Sequence, residues 1–324
     1  MSTTKDAASA IKGVLGLDSK DGHFRRQAST FRNTISPESE FPPEKGRYHL
    51  FVTFGCPWAH RTLITRRLKG LEDVIDVTIA SPYFGEFGWS FGSGAVAPFP
   101  GTQADPLYDT KHTRELYFKA NPDYSGRFTV PVLWDKKTQT IVNNESSEII
   151  RILNGAFNEH LPNEKGKELD LYPKSLCQEI DELNEWVYAT VNNGVYKTGF
   201  ATTPNAYESN VIPLFNSLDR LEKILSDGRE FLIGGTLTEA DIRLFTTMIR
   251  FDVAYVGHFK CNLGSIRHDY PHINRWMKNL YWNYPAFKET TNFDHIKVSY
   301  YWSQVEINPS RIVPVGPKVN IEPL

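Results

Sequence analysis

With 324 residues, 40% hydrophobic and 23% charged, the chain has a water-soluble composition and is long enough for two cores. A formal charge of −2 gives no electrostatic case for nucleic acid or an anionic membrane, and no apolar run approaches the ~18 residues that span a bilayer. Three cysteines (Cys56, Cys177, Cys261), odd in number and far apart, exclude a disulfide framework and point to a reducing compartment, the cytoplasm.

Residues 1–45 read as an arm. Its first 24 residues carry acids among their lysines and no apolar signal core beyond a short patch at Ile11–Leu15, so they form a leader rather than an address. Phe24 and Phe41 are aromatic anchors of an extended segment that packs over a domain or reaches a partner subunit.

Residues 46–160 alternate strand and helix signals. The apolar run Tyr48–Val52 predicts a buried strand that breaks at Gly55. Cys56 stands directly before Pro57 and a helix-forming segment, Trp58–Leu68. Proline suits the first helical turn, where its missing N–H would be unpaired anyway. Cys56 therefore falls at or beside the N-cap, where open N–H groups and the helix dipole favour negative charge and draw a thiol toward thiolate. The competing reading is a small buried hydrophobe, the fate of many unpaired cysteines. Position favours the nucleophile.

Val74–Ala80 predicts a second strand. Ser81–Thr110, rich in glycine and proline, is too long for an ordinary connection, and such insertions are functional or disordered. A helix over Lys111–Ala120 leads into the strand pattern Phe128–Asp135, where Pro131 marks an edge strand or a special backbone. Thr140–Val142 is another strand, and Glu145 with Ser146 stands where the next helix begins, an anion site by construction.

From residue 170 to 303 the pattern is helical only. Ile180, Leu183, Val187 and Val191 recur on one helical face, as do Leu214, Leu218, Leu221 and Leu225 on a second. Thr238, followed three residues later by Asp241, resembles a capping box opening a helix that is apolar nearly all round, the buried centre of a bundle. Another helix, Ile273–Leu280, follows Pro271, and residues 304–324 end as a proline-rich extended tail.

A βαβ–ββα unit with a cysteine before its first helix, Val-Pro before a strand and Glu-Ser at a helix start resembles the thioredoxin-like half of glutathione transferases. The helical remainder, with its Thr-x-x-Asp cap, resembles their C-terminal half. Cys56-Pro57-Trp58-Ala59, Gly88-Trp89, Val130-Pro131, Asn144-Glu145-Ser146 and Asp294-His295-Ile296-Lys297 narrow the resemblance to the glutathionyl-hydroquinone reductases, the Xi class, close to the omega class. It runs from about Phe24 to Tyr301. The fold it implies is α/β plus all-α: a thioredoxin-like N-terminal domain and an all-helical glutathione-transferase C-terminal domain.

That resemblance implies glutathione as co-substrate, no metal, a glutathionylated quinol as partner substrate, and a homodimer. Pro131 would be cis, exposing the Val130 backbone to the cysteinyl part of glutathione. Glu145 would take the γ-glutamyl ammonium, Ser146 with its helix N-terminus the carboxylate, and Trp89 would cover the tripeptide. Arg114 matches a cation that holds a carboxylate, with Arg127 the competing choice. Tyr196, Tyr255 and Tyr300 match tyrosines that bind the quinol ring, with Tyr301 the alternative to Tyr300. On residues alone, Glu145 reads equally as a first-turn helix acid, and each tyrosine as a side chain packed between helices.

With Ala at position 59 there is no Cys-x-x-Cys partner, so the implied chemistry is monothiol. Cys56 takes the glutathionyl group and a second glutathione removes it as oxidised glutathione. The alternative is an omega-like thioltransferase or dehydroascorbate reductase that uses the same Cys56.

Overall fold

The computed structural model describes residues 19–85, 87–162, 164–318 and 321–324. The leader's residues 1–18, with the patch at Ile11–Leu15, lie outside them. The chain divides into two compact units. One comprises Ser29–Ser175 with Tyr284–Ser299; the other comprises Leu176–Asn283, Tyr300–Leu324 and the residues up to Ala28.

The first unit is built on β1 (Tyr48–Val52), α1 (Pro57–Lys69), β2 (Asp76–Ile79), α2 (Thr113–Ala120), β3 (Val132–Asp135), β4 (Thr140–Asn143) and α3 (Ser146–Gly155). The strands lie in the order β2–β1–β3–β4, with β1 parallel to β2 and antiparallel to β3, and β3 antiparallel to β4. Strand β1 is interior and covered on both faces, which is why it reads as an unbroken apolar run rather than an alternation. Tyr48, Leu50 and Val52 join Leu63, Ile149 and Leu153 in one core cluster, while Phe51 joins Val132, Trp134 and Tyr117 in the other. Burying each of these side chains stabilises the unit by ~2 kcal/mol.

Strand β3 is shorter than its apolar pattern: the ladder starts only at Val132, after the cis Val130–Pro131 peptide. As β3 is an interior strand, the edge-strand reading of Pro131 gives way. Pro131 precedes the strand and removes no ladder bond. The edge left open by β4 is met by the arm: Asn33 N–H donates to Val142 O (3.0 Å), Asn144 N–H donates to Phe31 O (3.1 Å), and Arg32 bridges Asn143. Covering an open edge in this way removes a template for pairing with another chain.

Fully buried Asp135 accepts from Arg47 Nε (2.8 Å) and Nη2 (2.6 Å), and further from Thr138 Oγ1 and the Lys137 N–H. Burial raises the carboxyl pKa, and these donors more than offset it, leaving the folded value below the ordinary one. A depressed folded pKa supplies stability above the unfolded value of ~3.9, and that stability is lost as the pH falls through the folded value. The expected result is an acid limb in thermal midpoint below about pH 4 that is flatter in Asp135→Asn, a variant expected to cost about 3 kcal/mol at neutral pH. Thermal melts of both proteins between neutral and acid pH check this.

The second unit is helical: α4 (Cys177–Val187), α5 (Gly194–Gly199), α6 (Pro204–Leu225), α7 (Glu239–Arg250) and α8 (Pro271–Asn283). Every residue of α7 is buried, its polar Glu239, Asp241, Arg243, Thr246, Thr247 and Arg250 included, which places it at the centre of the helical unit. Its capping box is formed, with the Thr238 N–H donating to Asp241 Oδ2 at 3.0 Å. Asp241 also accepts from Leu232 N–H (2.9 Å) and Trp276 Nε1 (3.0 Å), so one carboxylate ties the preceding loop and α8 to the start of α7. Burial pushes its pKa up to about 6, against the lowering by these donors, which leaves it ionised at neutral pH. The last helix of the chain, α9 (Phe293–Tyr301), contributes Phe293–Ser299 to the first unit and Tyr300 and Tyr301 to the second. Among the described residues, no helix is long and apolar enough to cross a membrane.

Candidate active site

Cys56 is the N-cap of α1, with extended backbone (φ −80°, ψ 121°) and Pro57 at the first helical position. No acidic residue stands in the first turn of α1, so nothing in that turn opposes a negative charge on the sulfur. The side chain is half-buried and outside any disulfide. Its Sγ lies 3.5 Å from the Val130 carbonyl oxygen, immediately before the cis peptide. The other cysteines differ: Cys177, also half-buried at a helix start, has Glu179 in the first turn of α4, and burial raises the pKa of the fully buried Cys261 far above the ordinary thiol value.

Glu145 is the N-cap of α3. Its Oε1 accepts from the Ser147 N–H (3.3 Å) and Oγ (3.1 Å), and Ser29 Oγ donates to Oε2 at 3.1 Å. Ser146 is the first helical residue and is buried, with Arg61 Nη1 of α1 donating to its Oγ at 3.5 Å. That contact ties the Cys56 helix to the Glu145–Ser146 helix start. The sequence reading gave Arg61 no role. Arg61 is a charged residue within the buried stretch 59–65 of α1, and it is 1% exposed.

The insertion contains a two-stranded ladder, Phe84–Gly85 against Gly88–Trp89. Trp89 ends it, half-buried, with its ring 5.0 Å from Phe84 and packed against both core clusters of this unit. Arg114, on α2, lays its guanidinium over the Phe87 ring at 3.9 Å. Arg127 precedes β3, and its carbonyl accepts from the Tyr124 hydroxyl at 2.9 Å. Cys56, Trp89, Arg114, Val130, Glu145 and Ser146 all belong to the first unit.

The tyrosines form a separate cluster in the second unit. The Tyr300 hydroxyl is bonded to those of Tyr196 (2.7 Å) and Tyr255 (2.9 Å). Tyr301 instead packs its ring against His258, 4.8 Å between centroids. Burial holds the Tyr255 and Tyr300 phenols well above their ordinary pKa, so they act as neutral donors and acceptors. Arg26 of the arm stands over the Tyr196 ring at 5.4 Å and donates to Asn193 Oδ1 at 2.9 Å. Among the described residues, no group of His, Cys, Asp or Glu side chains is gathered as a metal site.

A small mixed sheet with a cysteine capping its first helix, paired with a helical unit, is the architecture of glutathione transferases, and two family models match. These are the glutathione S-transferase N-terminal domain over residues 55–156 and the C-terminal domain over residues 204–279. The chain is 58% identical to the Schizosaccharomyces pombe protein named glutathione S-transferase omega-like 2, over 95% of this chain and 98% of that one. It is 50% identical to the Escherichia coli glutathionyl-hydroquinone reductase YqjG, over 92% and 90% of the two chains. The crystal structure of the Saccharomyces cerevisiae Xi glutathione transferase ECM4 in complex with glutathione superposes with a TM-score of 0.89 at 48% identity, over 93% of this chain and 99% of that one. The chain belongs to the Xi class of the glutathione S-transferase family.

Proposed function

We propose that this chain is a glutathione-dependent reductase that removes glutathione from glutathionyl-hydroquinones through Cys56. The observation that carries the reading is the half-buried Cys56 at the N-cap of α1, with no acidic residue in that helix's first turn. The E. coli relative that bears the reductase name supports it. In the first half-reaction the Cys56 thiolate attacks the thioether sulfur. The ring carbon–sulfur bond breaks, the ring carbon takes a proton, and the hydroquinone leaves behind a Cys56–glutathione disulfide. In the second, a glutathione thiolate attacks that disulfide, giving oxidised glutathione and the free Cys56. Over both steps one thiol sulfur and one thioether sulfur become a disulfide, a two-electron oxidation, and the ring carbon takes up the electron pair with the proton. No second protein thiol is needed, in keeping with Ala59.

Glutathione is held by Val130, by Glu145 at its ammonium, by Ser146 and the α3 N-terminus at its carboxylate, and by Arg114 and Trp89. Glu145→Gln separates this role from capping. The amide oxygen still accepts from Ser147, so stability should change by no more than ~1 kcal/mol while KM for glutathione rises about tenfold. Steady-state kinetics beside a thermal melt reads both.

The hydroxyls of Tyr196, Tyr255 and Tyr300 hold the quinol. Phenylalanine at any of the three should raise KM for a glutathionyl-quinol about three- to tenfold and leave a small mixed disulfide unaffected. Equal effects on the two substrates would remove the ring-binding role.

The second reading, an omega-like thioltransferase or dehydroascorbate reductase, is favoured by the S. pombe relative's name. Turnover of glutathionyl-menadiol against dehydroascorbate decides between them, and a dominant rate on dehydroascorbate rejects the first. The homodimer is likewise a proposal, tested by sedimentation.

A further inference from the structure

The segment Phe293–Ser299 of α9 belongs to the same unit as Cys56, and two of its side chains hold the insertion, at Pro82 and Pro100. His295 is fully buried, and its Nε2 lies 2.7 Å from the Pro100 carbonyl oxygen. A carbonyl only accepts, so Nε2 carries the proton. Phe54 and Phe99 meet the imidazole edge-on at 5.3 and 4.9 Å, fixing its plane. One helical turn later, on the same face, Ser299 Oγ donates to the Pro82 carbonyl at 3.2 Å. Gly55, the residue before Cys56, lies directly on this face. A Cβ there would stand 1.8 Å from Ser299 Oγ and 3.3 Å from the His295 carbonyl oxygen, so only glycine allows the approach. Gly101 approaches on the other side, where a Cβ would be 3.3 Å from His295 Nε2.

We propose that His295 and Ser299 form a clamp that locks the insertion carrying Trp89 to the turn carrying Cys56, making them positioning residues for the thiol-transfer site. One helix face thus meets the insertion at Pro82 and Pro100 and the turn before Cys56 at Gly55. Burial keeps the imidazole neutral, lowering its pKa despite the bond to Pro100, so a neutral donor of similar reach is the right replacement.

This inference rests on the reductase reading for its kinetic consequence, and its structural half is tested without any substrate. The variants are His295→Leu, which keeps the bulk and removes the donor, His295→Gln, which restores an N–H, and Ser299→Ala. Limited chymotrypsin digestion with mass mapping should show cleavage between residues 83 and 99 about tenfold faster in His295→Leu at unchanged thermal midpoint, returning toward wild type in His295→Gln. KM for glutathione should rise about tenfold in His295→Leu, with kcat changed less than threefold and with rescue in His295→Gln. Unchanged cleavage overturns the clamp. Faster cleavage with wild-type KM overturns its positioning role, as does a glutamine variant no better than leucine. Should His295→Leu fail to fold, Ser299→Ala, which removes a single oxygen, decides by the same two readouts. A wild-type protein inactive on every glutathionylated substrate rejects the reductase reading alone, and the digestion still decides the clamp.

Discussion

Cys56→Ser is expected to abolish release of hydroquinone from a glutathionyl-hydroquinone, lowering kcat/KM by at least ~1,000-fold. A serine hydroxyl at the same N-cap is not ionised at neutral pH and forms no disulfide, so neither half-reaction has a path. The variant keeps the local fold, because the Cys56 side chain makes no capping bond to the helix that its replacement would have to reproduce. Stopped reactions examined by intact-mass spectrometry give the complementary result. Wild type incubated with a glutathionyl-quinol should carry one glutathionyl group on Cys56, and the serine variant none. Substantial turnover by Cys56→Ser would reject the covalent step. A Cys56 pKa close to that of free cysteine (~8.5) would remove its physical basis.

The second large effect concerns stability and needs no assumption about chemistry. Asp241→Asn should destabilise the helical unit by ~3 kcal/mol. The carboxylate accepts from three backbone or indole N–H groups, those of Leu232, Thr238 and Trp276, in a fully buried setting. An amide has the same shape but turns an N–H₂ toward at least one of those donors, leaving it buried and unpaired. Loss of the first-turn charge at the N-terminus of α7 adds to the cost. Urea unfolding followed by tryptophan fluorescence measures it, and a change below ~1 kcal/mol would show that the site relaxes around the amide.

These effects separate along the line between local and non-local information. Local patterns settled the strand–helix order of the first unit, because the core-facing apolar runs, the break at Gly55 and the proline at the start of α1 are written in adjacent residues. The N-cap position of Cys56 and the capping box of α7 were readable for the same reason: a cap is made by side chains within four positions of the groups it satisfies. Strand ends were less legible. Phe128–Asp135 has the pattern of one strand, yet pairing begins at Val132 after the cis peptide. Glu145 shows how a single position carries two meanings, since the helix start that suits a ligand's ammonium also makes its carboxylate an N-cap.

By itself, then, the sequence determined the class of fold, the identity of the candidate nucleophile and its place at the mouth of a helix. Tertiary structure decided which distant segments share a neighbourhood. The arm lies along β4, Arg61 reaches Ser146, Tyr300 rather than Tyr301 bonds Tyr196 and Tyr255, and residues 293–299 lie beneath the Cys56 turn. The physical reason is that hydrogen-bonding and helical periods act over a few residues, whereas contacts between segments far apart in the chain depend on how whole faces pack, which no local pattern encodes.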